Sequence, residues 1–301
     1  MNGVLPLFKE KNMTSHDCVS QLRKILHTKK IGHTGTLDPN VDGVLPICVG
    51  PATKISELLM QSGKAYKGSI TFGVAYDTED LDGEVITTQA INEPFSDVQI
   101  DDALGKMVGD IQQIPPMFSA VKVNGKKLYE YAREGIEIER QPRNIHIDYF
   151  KQTSPAVYDH DKRQQTIFFE VGCSKGTYVR TLAVDLGKHL GVPAVMSSLT
   201  RIKSAGFTID QCVKLSEVEE AMNAGKIDDV LVSLDQSLSK YASFDLSDKL
   251  MNLVSNGVFL NTNELQSTEK VVKLKYEGKV KALYQFDDTK GQYRPYKMFL
   301  N

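Results

Sequence analysis

Three stretches carry side chains whose type and spacing suggest chemistry. In KKIGHTGTLDPNVDGVLPICVG, Lys29 to Gly50, two lysines lead into a loop with Gly32, Gly35 and Gly43, and Asp38 is held against Pro39 before an apolar run. Asp before Pro is common in loops, so Asp38 alone reads as a turn residue. CSKGTYVRTLAVDLG alters that reading. Thr177 predicts an N-cap, which places Tyr178 and Arg180 in the first helical turn. An exposed cation there opposes the helix dipole at a cost of about 0.3–1 kcal/mol. Arg180 is better placed against a carboxylate from elsewhere, and Asp38 on its constrained loop is a candidate partner. The third stretch, KAYKGSITFGV, alternates so that Tyr66, Ile70, Phe72 and Val74 share one strand face; Tyr66 by itself reads as a core aromatic.

Other patterns exclude whole classes of function. The acidic run Asp77, Glu79, Asp80, Asp82 and Glu84 reads as a solvated turn, because a calcium loop aligned on Gly83 would need ligands at Thr78 and Gln89. No phosphate-binding G-x-x-x-x-G-K-[ST] occurs. Gly32 to Gly35 is formally a GxxG, yet it leads through Asp38-Pro39 towards a strand rather than joining two helices. The four cysteines lie far apart without zinc spacing and read as reduced thiols, mostly buried. No apolar run reaches the roughly 18 residues of a membrane span, and the charged N-terminus does not read as a signal peptide, so the expected location is the cytoplasm.

Composition is that of an ordinary globular chain: 301 residues, 41% apolar, 25% charged, net charge −2. The whole-protein field therefore gives no sign of a polyanion partner. Locally, Arg23, Lys24, Lys29 and Lys30 face no acid between Gln21 and Leu37; they form either a solvated helix face or a patch able to meet a phosphate backbone.

The elements that must hold these residues follow from periodicity. A capping box at Thr14 and Asp17 opens a helix with Val19, Leu22 and Leu26 on one face. Val44 to Val49 reads as a strand, ATKISELLM as a helix with Ile55, Leu58 and Leu59 inward, and SDVQIDDALGKMVGDI as another helix. Strands follow at Ile145–Phe150 and Thr166–Cys173, then a helix from about Thr177 to Leu190. Past about Lys240 the texture becomes short strands and turns, with a hairpin at Glu277-Gly278, and reads as a separate β-rich unit.

Four segments in order, GHTGTLDPNVDGVLPICVGPATK, KAYKGSITFG, IPPMFSAVKVNGKKLYEYAREG and CSKGTYVRTLAVDLG, resemble the bacterial tRNA pseudouridine synthase B family, over nearly all of the chain to about residue 240. GVLPLFKEKNMTSHDCV resembles the family's start, with FKEKN where DKPKG is usual, and Phe118 stands where PPMYSA has tyrosine. The resemblance implies an α+β pseudouridine synthase fold with a mixed, largely antiparallel sheet flanked by helices. Residues 1–240 would be the catalytic domain, with an RNA-gripping insertion at about 114–143. Residues 241–301 would be a small β-rich, PUA-like RNA-binding domain.

The implied activity is isomerisation of uridine 55 in the TΨC loop of tRNA, by base flipping and exchange of a C–N for a C–C glycosidic bond. That exchange requires no redox cofactor and no metal. By resemblance Asp38 is the catalytic aspartate, Arg180 its partner, and Tyr66 the aromatic that stacks on the extruded uracil near its C5 proton. Tyr178 and Leu199 would line the pocket, and His33 would contact RNA and help hold the flipped state. Lys122, Lys126, Lys127 and Arg133 would grip the T-arm stem-loop, with Arg140, Arg143, Tyr129 and Tyr131 in the same segment. The expected partner is tRNA alone, bound by a monomer with no obligate protein partner and no membrane. Two rivals stand beside this reading: a non-catalytic tRNA-binding or tRNA-folding protein, and a synthase acting on another RNA. Whether Asp38 attacks C1′, attacks C6 or promotes elimination to a glycal stays open.

Overall fold

Residues 1–300 are described by the structure, a computed structural model. The chain opens with strand β1 (Gly3–Lys9) and helix α1 (Ser15–Ile25), whose Thr14 and Asp17 form the reciprocal capping box expected from their spacing. Val19, Leu22 and Leu26 are buried beneath it. Strands β2 (Ile31–His33), β3 (Asp42–Val49) and β4 (Lys64–Phe72) follow. ATKISELLM is split between a 3-10 turn, Gly50–Ile55, whose first turn accommodates Pro51, and helix α2 (Ser56–Met60).

A hairpin of β5 (Val74–Tyr76) and β6 (Val85–Thr88) comes next, so Val74 lies beyond β4 instead of sharing its face; Gly73, at φ +100°, ends the strand between them. Helix α3 (Asp97–Gly105) stops short of the expected span, since Gly109 to Gln113 is strand β7, paired along β10. Then come the small hairpin β8 (Lys122–Val123) and β9 (Lys126–Lys127), helix α4 (Leu128–Arg133), and the long strands β10 (Arg143–Asp159) and β11 (Gln164–Cys173). Helix α5 spans Val179–Leu190, followed by β12 (Ala194–Ser204) and β13 (Phe207–Thr208).

These strands form a nine-stranded sheet in the order β1-β3-β12-β4-β11-β10-β7, with β2 beside β3 and β13 beside β12. Among its described residues only the β3–β12 pair is parallel. One apolar cluster joins α3 and α5 to β4, β11 and β12, and a second packs α1 on β1 and β3. A second sheet, five strands within Ala242–Met298, is the mixed β unit at the C-terminus, and its Glu277-Gly278 turn has both residues at positive φ, as a type I′ hairpin requires. It joins the body through Val280, Leu283 and Phe299 packed with Val4, Val44 and Ile55.

Candidate active site

The Asp38 loop bridges β2 and β3, and nearly every residue in it is tied by its backbone. Thr34 donates its amide to Pro46 O at 3.0 Å, Leu37 donates its amide to Ser15 Oγ at 2.9 Å, and Val41 donates to Asp38 O at 3.1 Å. Pro39 O accepts the Asn12 amide at 2.9 Å and Lys9 Nζ at 3.1 Å. Lys9 is fully buried, and its ammonium also donates to Met13 O at 2.6 Å and Glu10 O at 3.0 Å, so all its protons are matched by carbonyls.

Arg201 secures the other side. Also fully buried, it donates Nε to Val44 O at 2.7 Å, NH1 to Thr36 O and NH2 to Gly35 O, both at 3.3 Å. β12 lies so close to β3 that a Cβ on Gly43 would sit 2.2 Å from Arg201 O, which is why that position is glycine. Arg201→Met leaves three carbonyls without their donors, and a buried acceptor left unsatisfied costs about 1–3 kcal/mol. Urea denaturation is expected to show a loss of that order; an unchanged midpoint would contradict the clamp.

Arg180 stands in the first turn of α5, buried, with four polar neighbours. NH1 donates to Thr78 O at 2.9 Å, and NH2 donates to Phe118 O at 2.9 Å and lies 3.1 Å from Asp38 Oδ2. Nε lies 3.6 Å from Asp80 Oδ2. The Asp38 side chain remains 43% exposed, so one oxygen is paired while the carboxylate still faces open space. The helix begins one residue later than a Thr177 cap predicts. The Thr177 hydroxyl donates to Ser174 O, and buried Gln113 grips the Tyr178 peptide, accepting its N–H at 2.8 Å and donating to its C=O at 3.0 Å. Tyr178 is thereby the N-cap, not a first-turn residue.

Asp80 is the residue that sequence reasoning missed. Its turn reads as solvated, yet the Asp80 side chain is only 13% exposed. It accepts the Thr78 hydroxyl at 2.6 Å and the Asp82 amide at 3.1 Å. Burial pushes its carboxyl above the usual range, against the opposing pull of these hydrogen bonds and Arg180. Neighbouring Glu79 is likewise raised by burial and accepts the Thr181 hydroxyl at 2.7 Å. No spacing in the sequence announces this; the turn is held at the site by Arg180 and Thr181 on α5 and by Met196 on β12, whose amide donates to Glu79 O at 3.3 Å.

Tyr66 is buried on β4 directly opposite Arg201 on β12, in the cluster that contains Leu37, Val41, Val179 and Leu199. Burial pushes its phenol up, and the adjacent Arg201 charge works the other way. Asp38, Asn40, Asp80, Asp82, Lys11 and Leu199 line a cleft of about 210 Å³. His33 is partly buried at the end of β2, its Nδ1 accepting the Gly35 amide at 3.3 Å, and burial lowers its pKa below the ordinary value. In the unfolded chain His33 takes up its proton near pH 6.5, so below that pH the unfolded state binds more protons. The His33 contribution to stability is therefore expected to fall as pH drops from about 7 to 5.5, and the difference in stability between wild type and His33→Gln in urea melts should shift against wild type across that interval.

None of the basic insertion residues is among those lining the Asp38 cleft. Lys122 and Arg133 are exposed, Lys126 pairs with Glu134 and lies 4.8 Å from the Tyr131 ring centre, and Lys127 and Arg133 both lie 5.3 Å from the Tyr129 ring centre. Arg140 NH1 fastens the segment to Pro115 O at 3.2 Å. Arg23, Lys24, Lys29 and Lys30 are all exposed.

Comparison with known proteins places this geometry. A model described as TruB family pseudouridylate synthase (N terminal domain) matches residues 23–179, and one described as tRNA pseudouridylate synthase B C-terminal domain matches residues 180–239, ending before the second sheet. A protein named tRNA pseudouridine synthase B from Levilactobacillus brevis is 55% identical over 300 residues, covering 99% of each chain. A protein of the same name from Lactiplantibacillus plantarum is 53% identical over 303 residues, again covering 99% of each. A chain from an H/ACA RNP bound to a substrate RNA shares the fold, with a TM-score of 0.73 at 20% identity over 99% of this chain and 85% of that one. With half of its length in one family model and full-length relatives above 50% identity, the chain belongs to the TruB family of pseudouridylate synthases.

Proposed function

We propose that the protein converts uridine 55 to pseudouridine in the T-loop of tRNA. The observation that carries this reading is one partly exposed carboxylate, Asp38, on a backbone-locked loop beside a buried arginine, at the mouth of a small cleft. The names of the full-length relatives supply the substrate class. The isomerisation breaks the C1′–N1 bond, turns the uracil in place and joins C1′ to C5, with the C5 proton lost and a proton taken up at N1. A loop that does not yield when a nucleotide is flipped towards it keeps the carboxylate at reacting distance throughout. In this reading Arg180 holds the Asp38 carboxylate in position, Tyr66 and Leu199 form the floor under the base, and His33 meets the RNA at the rim. Lys122, Lys126, Lys127 and Arg133 serve the stem-loop, where loop nucleotides with splayed bases are the usual target of specific recognition. Residues 241–301 act as a short PUA-like RNA-binding unit.

Tritium release from a tRNA transcript labelled at uracil C5 tests this directly. One equivalent per tRNA is expected, falling to none when uridine 55 is replaced by cytidine. Tight binding without release would instead favour a tRNA-binding protein, and release from the cytidine transcript would mean another site.

A further inference from the structure

A second, larger cleft of about 380 Å³ lies at the ends of β4, β11 and β12. Lys64, Lys203 and Lys240 line it with Ser62, Ser237, Ser239 and Tyr149, and Asp148 is the acid on its wall. Asp148 is 57% exposed and lies 3.8 Å from His146 Nε2, beyond hydrogen-bond reach. No carboxylate pairs with Lys64, Lys203 or Lys240 among the described residues. Lys64 is the least comfortable of the three: its ammonium reaches only Met60 O, at 3.5 Å. Burial pulls its pKa down, and Arg201 and Lys175 add to the repulsion.

The position of this cleft relative to Asp38 gives it meaning. Lys64 starts the strand that carries Tyr66 two residues on, about 7 Å along the strand. Its Cε lies 3.6 Å from where a Cβ on Gly35 would be, at the start of the Asp38 loop, while the 210 Å³ cleft opens at the far end of the same loop. The two clefts thus flank one loop. Gly63, Ala65, Gly172, Ala205 and Gly206 leave the floor of the larger one low, which suits a sugar–phosphate strand better than a bulky side chain.

We propose that this lysine-lined cleft binds the phosphodiester backbone of the substrate RNA next to the flipped nucleotide. The inference rests on the RNA-modifying reading above and adds a contact surface distinct from the insertion. An anion here gives Lys64 the partner that the protein does not provide, and Lys203 and Lys240, both exposed, close over it.

The test is the double variant Lys203→Ala/Lys240→Ala, with both substitutions at exposed positions outside the Asp38 site. For a minimal T-arm stem-loop and for full-length tRNA, KM is expected to rise about tenfold with kcat within twofold. The slope of log binding constant against log salt, measured in an Asp38→Ala background, should shrink by about 0.7–0.9 for each phosphate that the variant no longer neutralises. Lys203→Arg/Lys240→Arg should restore both quantities. Unchanged KM and salt slope would overturn the proposal, and so would an effect on full-length tRNA but not on the stem-loop. Either result can occur while the wild type still forms pseudouridine, so failure here is separable from failure of the proposed function.

Discussion

Asp38→Asn is expected to lower turnover by roughly 10⁴-fold or more, the scale seen when an acting carboxylate or nucleophile is removed, while tRNA binding stays within a few-fold. The loop itself gives a reason to expect so clean a separation. Its shape is set by Lys9, Ser15, Asn12 and Arg201 acting on backbone atoms, whereas the Asp38 carboxylate is ion-paired to Arg180. An amide of the same size leaves those backbone bonds untouched, and Arg180 keeps Asp80 and two carbonyls. Phosphate contacts carry most RNA affinity, and a carboxylate supplies none of them. Single-turnover kinetics beside a binding titration would check both halves. Normal turnover by the asparagine variant would remove Asp38 from the mechanism and return it to the role of a turn residue.

Arg180→Lys is the second large effect, with kcat expected to fall about 10²–10³-fold, the usual consequence of removing one preorganised electrostatic interaction. Lysine retains the charge but not the planar fork. Arg180 meets Thr78 O, Phe118 O, Asp38 and Asp80 in several directions at once, and a single ammonium cannot reproduce that arrangement. The same guanidinium fastens the acidic turn and the entry to the insertion, so the lysine variant should also bind tRNA less well. Asp80→Asn separates the two roles: it removes a charge from Arg180 while leaving Asp38 and both carbonyls in place. A kcat for Arg180→Lys equal to wild type would show that the Asp38–Arg180 pair is structural only.

Local signals in the chain were sufficient for the elements whose causes are local. Thr14 and Asp17 cap their helix because the two partners are three residues apart, and Glu277-Gly278 turns because Gly278 takes positive φ without steric cost. The Asp38–Arg180 pairing was also legible in outline, since a cation in the first turn of a helix calls for a carboxylate; the 3.1 Å pair answers it. Where a long-range partner intervenes, the local signal loses. Gln113 on β7 takes the Tyr178 peptide and moves the start of α5 past Thr177, and pairing with β10 makes a strand of Gly109–Gln113, at the end of an apparent helix.

The same limit applies to the site. The acidic turn reads as solvated because nothing near Asp80 in sequence covers it; its cover is Arg180, a hundred residues on. Lys9 and Arg201 look like ordinary strand cations, yet both are fully buried and their partners are carbonyls, which every residue has and no residue type announces. Residue identity therefore marks which side chains could carry the chemistry. Folding decides which carbonyls and carboxylates surround them, because that depends on strands distant in sequence being brought side by side.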